Sequence, residues 1–151
     1  MGENAYPEPT VGALIFNEQQ QIILIRGKKF KDRYVVPGGH IEIGEEMEEA
    51  LRREIREETG LEVCDIKLIG LQEAIFPEFH VKSKHFIYID YVCRALPGEV
   101  KLNEESEEYI WTTLPEALVL PLETFTAGLI KEYLKGDGSE FRQTILYRIN
   151  R

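Results

Sequence analysis

Residues 39–61 read GHIEIGEEMEEALRREIREETGL, and the spacing inside this stretch governs how the rest of the chain is read. Five residues separate Gly39 from Glu45 and seven separate Glu45 from Arg53; Arg53-Glu54-Ile55-Arg56-Glu57-Glu58-Thr59-Gly60-Leu61 then follows without a break. A helix is expected to start at Glu45–Glu46, where acids suit the positive end of the macrodipole. It is expected to stop at Gly60, a residue able to take the left-handed conformation that ends helices. Between these limits Met47, Ala50, Leu51 and Ile55 recur at helical spacing as one apolar stripe. At about 100° per residue, Glu54 and Glu58 project within that stripe and Glu57 lies on its shoulder, whereas Glu48, Glu49, Arg52 and Arg56 occupy the opposite side.

An acidic helix with a solvated face accounts for Glu48, Glu49, Arg52 and Arg56. It does not account for Glu54, Glu57 and Glu58. Like charges three and four residues apart repel, and these three sit toward the helix C-terminus, where the dipole disfavours anions. Convergent carboxylates on the core side of a helix need a cation. Arg53 supplies one charge to Glu57 at i,i+4, and a hard divalent ion, which prefers carboxylate oxygen, supplies the rest.

The complete pattern is G-x5-E-x7-R-E-U-x-E-E-x-G-U, with U aliphatic, and every fixed position is filled. At ordinary composition its chance occurrence in a chain of this length is roughly 10⁻⁵ or less. On these residues the chain resembles a Nudix hydrolase of the MutT-like kind. The resemblance implies an α/β fold, the Nudix α/β/α sandwich with a mixed central sheet. It also implies Mg²⁺ or Mn²⁺ as cofactor, with Glu54, Glu57, Glu58 and the Gly38 carbonyl oxygen as ligands. Glu54 and Glu57 are then catalytic as well, and Arg53 orients and balances the helix carboxylates. Glu45 either assists through a water or fixes the loop.

The 151 residues suit one domain spanning the chain, and 43% hydrophobic residues suffice for a globular interior. No apolar run approaches the roughly 18 residues of a membrane span, and MGENAYPEPT shows no secretory signal. Gly2 does not read as a myristoylation site, because Tyr6 stands where Ser or Thr is needed. Cys64 and Cys93 fall in apolar segments and read as reduced core cysteines, so a cytoplasmic protein is expected. The net charge of −9 argues against a nucleic-acid polymer as partner. A small nucleotide delivered with its metal is the expected partner; no membrane is, and a homodimer stays open.

Outside the box, Thr10–Phe16 and Gln21–Ile25 read as strands around the polar turn Asn17-Glu18-Gln19-Gln20. A basic loop from Gly27 to Arg33 leads to Tyr34-Val35-Val36-Pro37-Gly38-Gly39, and His40–Ile43 reads as a short strand. Val63–Phe76 and Lys84–Ala95 read as long strands. In the second, Phe86, Tyr88, Asp90 and Val92 alternate with Ile87, Ile89 and Tyr91, so both faces are apolar, as in a central strand covered on both sides. Tyr109–Trp111 predicts a further strand and Leu122–Leu134 a helix, with an edge strand or a loosely docked tail after Ser139.

Gly38 and Gly39 let backbone approach metal and phosphate without a Cβ in the way, and Gly44 permits the turn into the helix. The resemblance implies a base or extra metal ligand from a later acidic loop. Glu104, Glu105, Glu107 and Glu108 compete for it, with Glu108 favoured as catalytic. For substrate, Arg26 and Lys28 are candidates for phosphate and His40 follows Gly39 closely enough to touch it. Phe30, Phe76 and Phe79 are candidates for stacking on a base. His80 and His85 have no ligand-like spacing.

The expected reaction is hydrolysis of a diphosphate linkage in a nucleoside diphosphate derivative, with a nucleoside triphosphate first and ADP-ribose second. Pro77, sixteen residues past Leu61, resembles the marker proline of ADP-ribose pyrophosphatases. The Tyr expected downstream in diadenosine-polyphosphate hydrolases and the signature of NADH-directed relatives are absent. A nucleotide sensor that does not cleave is a third reading, but such proteins commonly lose box carboxylates and this chain keeps them all.

Overall fold

The hairpin β1 (Glu8–Phe16) and β2 (Ile22–Arg26) closes where Phe16 pairs with Ile22. Asn17 Oδ1 accepts from Gln19 N and Gln21 N, which satisfies the turn, and Gln20 takes φ 63°. The structure is a computed structural model that describes residues 6–75, 77, 83–136 and 145–149, the last as backbone. After β2 come a 3₁₀ turn at Lys28–Phe30, β3 (Tyr34–Val35), β4 (Gly38–His40), α1 (Met47–Thr59), β5 (Val63–Ile75) and β6 (His85–Ala95). β7 (Glu108–Thr112), α2 (Leu114–Ala117), α3 (Thr124–Lys135) and β8 (Ile145–Ile149) complete the order.

The strands described form one mixed sheet in the order β3-β2-β1-β6-β5-β8, with β4 added to β1 and β7 added to β2. β1 and β6 are the parallel central pair, registered Thr10 with Tyr88 and Gly12 with Asp90. β5 runs antiparallel to β6 and parallel to the edge strand β8. Because side chains alternate across a strand, β1 and β6 feed two cores. Val11, Ala13, Ile15, Ile89, Tyr91 and Cys93 pack with Ala50, Leu51 and Ile55 of α1. On the other face Leu14, Ile22 and Leu24 pack with Leu114 and Ala117 of α2 and Leu129 and Ile130 of α3. This is the expected layering of helix, mixed sheet and helix, with β6 covered on both sides. Truncating Leu51 or Ile55, each fully buried, to Ala removes about 2–5 kcal/mol.

α1 starts at Met47, directly after the two acids expected to open it. Glu46 is the N-cap, its N–H donates to Glu49 Oε1 at 2.9 Å, and Gly60 closes the helix at φ 75°. Met47 does not join the apolar stripe; it lies at the helix mouth, 44% exposed. The strand expected over His40–Ile43 sits earlier, at Gly38–His40, because those residues pair with Thr10–Gly12. Beyond His40 the chain turns, with Glu45 N bonded to Glu42 O and Glu42 N to Glu45 Oε1, and Ile43 is left fully exposed. α3 matches its expected range closely, although Leu134 at its end is exposed. Short α2, with Thr113 Oγ1 accepting from Glu116 N, was not foreseen: one turn is too short for periodicity to register. Among the described residues no helix is long and apolar enough to cross a membrane.

Candidate active site

The box carboxylates meet the glycine strand β4 at the edge of β1. Gly38 N donates to Glu58 Oε1 at 2.8 Å. A Cβ on Gly38 would stand 2.1 Å from Val11 O, and a Cβ on Gly39 would stand 1.9 Å from Glu54 Oε2. Both glycines are therefore required by close approach, Gly38 to backbone and Gly39 to a reactive side chain. Burial pushes the Glu58 carboxyl up to about 8, with Glu54 adding repulsion, while the Gly38 N–H and Lys29 oppose the rise. Glu54 is also raised, first by burial, with Arg53 pulling it down and Glu57 pushing it up. Carboxylates held in this state favour a cation close by.

Arg53 is the hub of the box. Its Nε lies 2.7 Å from Glu45 Oε2, and its terminal nitrogens reach Glu45 Oε1 and His40 O at 3.0 Å, Glu57 Oε1 at 3.0 Å and Glu54 Oε1 at 3.2 Å. The Arg53 hydrogen bonds hold Glu45 down to about 2, helped by the Glu42 N–H. Glu45 therefore fixes the loop into α1, one of its two expected roles. The expected convergence of Glu54, Glu57 and Glu58 is looser than helical spacing implies. Arg53 draws Glu57 outward, where its side chain is 52% exposed, while Glu58 turns to Gly38. Among the described residues no three acidic, His or Cys side chains form a ready-made ligand cluster. Gathering the three onto one ion requires rotation of Glu57 away from Arg53.

The later acidic loop divides its glutamates. Glu108, favoured from sequence, accepts from Tyr34 Oη at 2.5 Å and pairs with Arg26 at 2.8 Å, across the β2–β7 register. Glu105 instead adds to the electrostatic pressure on Glu58, and its carbonyl lies so close to Gly27 that a Cβ there would stand 2.4 Å away. Arg26 is occupied by Glu108 and the face of Tyr34 and does not line the cavity described next.

Beside the box a cavity of about 130 Å³ opens on the α3 side of β1 and β6. Gly38, Gly39, Glu58 and Lys29 stand at its box end, His40 and Lys84 at its rim, and Phe30, Phe86, Tyr88 and Phe125 among its walls. Tyr88 stacks on Phe125 at 4.0 Å and on Phe86 at 5.6 Å. His40 Nε2 lies 2.7 Å from Glu8 Oε1, and Lys84 donates to the other Glu8 oxygen at 2.7 Å.

Residues 6–133 match the model of the NUDIX domain. The chain belongs to the Nudix hydrolases. Nucleoside triphosphatase NudI of Escherichia coli K12 is 34% identical over 96 residues, covering 60% of this chain and 67% of that protein. The crystal structure of MutT protein from Methanosarcina mazei Go1 superposes with a TM-score of 0.73 at 26% identity, over 90% of this chain and 99% of that one. The NUDIX domain of Shewanella oneidensis NrtR, complexed with ADP ribose, shares the fold with a TM-score of 0.73 at 19% identity, over 89% and 92%. The protein is thus a pyrophosphohydrolase by family.

Several residues of this Nudix site escaped sequence reading. Lys29 acts on the carboxylates Glu54 and Glu58, whereas Arg26 and Lys28 are the basic residues that the sequence offers for phosphate. Thr10, Gly12 and Asp90 line the cavity floor. Asp90 carried a signal, being an acid between Ile89 and Tyr91 in an otherwise apolar strand. Phe30 does line the cavity, as its stacking role requires, whereas Phe76, Phe79 and His80 lie outside the described residues. His85 pairs with Glu73 at 2.9 Å, away from the box. Cys93 is buried and Cys64 partly so, both as free thiols.

Proposed function

We propose that this Nudix hydrolase uses Mg²⁺ or Mn²⁺ to cleave a nucleoside triphosphate between the α and β phosphates, giving a nucleoside monophosphate and pyrophosphate. The observation that carries the reading is the pair of partly buried, mutually repelling carboxylates, Glu54 and Glu58, pressed against Gly38–Gly39 beside an aromatic-walled cavity. The donor set is all oxygen and suits a hard divalent ion: Glu54, Glu57 and Glu58 would hold it together with the Gly38 carbonyl. When bound, such an ion supplies charge neutralisation for the phosphates and lowers the pKa of a coordinated water.

The protein's own groups do the rest. Arg53 sets the rotamers of Glu54 and Glu57 and keeps their charges tolerable when they are empty of cation. Lys29 brings positive charge to the phosphate path on the cavity side. Glu105, whose charge reaches Glu58, is a better candidate base than Glu108, whose oxygens are held by Tyr34 and Arg26. One water adds across the anhydride, one P–O bond forms as another breaks, and the base takes the proton that water loses.

The likeness to a protein called nucleoside triphosphatase supports a triphosphate as substrate. ADP-ribose remains the second reading, supported by the ADP ribose complex of a protein sharing the fold. Incubating the protein with nucleoside triphosphates and with ADP-ribose, with Mg²⁺ and with excess chelator, tests both. The proposal expects pyrophosphate from at least one triphosphate, at a kcat/KM above that for ADP-ribose, and no turnover in chelator. ADP-ribose preferred by tenfold or more, about 1.4 kcal/mol in transition-state binding, would reverse the order. Full activity in chelator would remove the metal from the reaction.

A further inference from the structure

The floor of the cavity holds buried polar groups whose bonding the described residues leave incomplete. Asp90 is 4% exposed, on the central strand β6, and it accepts from a neutral amide, Gln72 Nε2, at 2.7 Å on Oδ2. Gln72 also donates to Phe125 O at 3.1 Å, so both amide hydrogens are used and Asp90 is held in one orientation. A buried acid without a cation is costly, and burial pushes Asp90 up to about 7. Thr10 Oγ1 is likewise buried, 6% exposed as a residue, and has no hydrogen-bond partner among the described residues. Buried hydroxyls are ordinarily satisfied.

Gly12 lies between these two groups in the pattern of the sheet. It sits directly across from Asp90 in the parallel β1–β6 register, two residues along from Thr10 on the same face. Its backbone does not demand glycine. A Cβ there would meet Pro37 O and Val36 Cγ2 at 3.5 Å, ordinary contact distances. What the missing side chain does is leave space in front of Asp90, since Gly12, Thr10 and Asp90 all line the cavity. Flat aromatic walls, Phe86, Tyr88 and Phe125, stand beside that space.

We propose that Thr10, Gly12 and Asp90 form a base-reading floor that selects nucleotides whose base carries an exocyclic amino group beside an unprotonated ring nitrogen, as cytosine and adenine do. Asp90 accepts from the amino group and the Thr10 hydroxyl donates to the ring nitrogen. Carboxylates accept from exocyclic amino groups in the same sense where proteins read cytosine. To ionised Asp90, uracil and hypoxanthine present a carbonyl, and they carry an N–H at the ring position, so they lose the first bond and meet a repulsive oxygen. The inference rests on the reading of the cavity as the nucleotide site, and it separates from the hydrolytic chemistry because it concerns binding.

Calorimetric titration with nucleoside monophosphates, run well above pH 7 so that Asp90 is ionised, tests it without turnover, using two pairs that differ at the amino position: CMP against UMP, and AMP against IMP. In at least one pair the amino-bearing member is expected to bind tenfold or more tightly. In D90N, whose amide offers both donor and acceptor, that ratio should fall below threefold. A ratio of two affinities cancels any loss of folded protein. G12A, which fills the space with a methyl group at ordinary contact distance, should weaken the amino-bearing nucleotide at least fivefold with the melting temperature retained. Wild-type ratios below threefold in both pairs, or a ratio that D90N leaves unchanged, would overturn the proposal. If nucleotides bind with the expected ratio yet are never hydrolysed, the enzymatic reading fails and the base-reading floor stands.

Discussion

The box on α1 and the cavity beneath α3 share the Gly38–Gly39 strand, yet they are built in opposite ways. The box is local: Arg53, Glu54, Glu57 and Glu58 lie within six consecutive residues, and a single helix sets their spacing. The cavity floor is assembled from β1 and β6, which are about eighty residues apart in sequence and are brought together by the parallel pairing that sets Gly12 across from Asp90. A catalytic apparatus written into one helix stays legible wherever the helix goes. A recognition surface written across two strands exists only after the sheet has formed, and single substitutions there change what binds before they change what reacts.

The largest effect should come from the helix. Glu58→Gln keeps the shape and the bond from Gly38 N but removes a ligand charge, so kcat for the preferred nucleotide should fall by roughly 10²-fold or more. Initial rates at saturating substrate check this. Gly39→Ala comes next. Its methyl would stand 1.9 Å from Glu54 Oε2, and since a carboxylate end can swing aside, the fold should survive while the ligand moves. Activity is expected to fall roughly tenfold to a hundredfold from such misplacement, with the circular dichroism spectrum unchanged.

A smaller effect, in stability rather than rate, distinguishes the cavity. Asp90 is raised from 3.8 to about 7, so the folded state holds its proton more tightly than the unfolded state does. Its contribution is fully present below pH 3.8 and is lost as pH rises through about 7. D90N should therefore flatten the decline of stability with pH over that window, as read by denaturant titration at several pH values. Glu123, raised by burial to about 7 with the same sign, leaves part of the slope in place. The smallest effect belongs to the outer face of α1. Glu49 only accepts from Glu46 N, a role glutamine also fills, so Glu49→Gln should alter kcat by less than about twofold. An equal loss in Glu49→Gln and Glu58→Gln would remove the distinction between the two helix faces.

The layered fold and the box were legible because their signals are periodic. Ala50, Leu51 and Ile55 repeat at helical spacing, and the alternation from Phe86 to Val92 marks a strand buried on both faces. The turn structure around Ile41–Ile43 was not legible, since apolar alternation there looks like strand until Glu45 is seen to close the loop on Glu42 N. Sequence alone favours Glu108 among the four glutamates of the acidic loop. What occupies it, the Tyr34 hydroxyl and Arg26, comes from β3 and β2 and could not be read locally. Lys29 belongs to a basic loop and Asp90 to an apolar strand, and only the packed sheet shows that one acts on the carboxylates and the other lines the cavity.

The division of labour is tested most directly by steady-state kinetics of the wild type, E58Q and D90N on two triphosphates, one with and one without the exocyclic amino group. The account predicts that E58Q lowers kcat for both by about the same factor, roughly 10² or more, and keeps the preference between them. It predicts that D90N changes the preference, chiefly through KM. A preference altered by E58Q and untouched by D90N would contradict it.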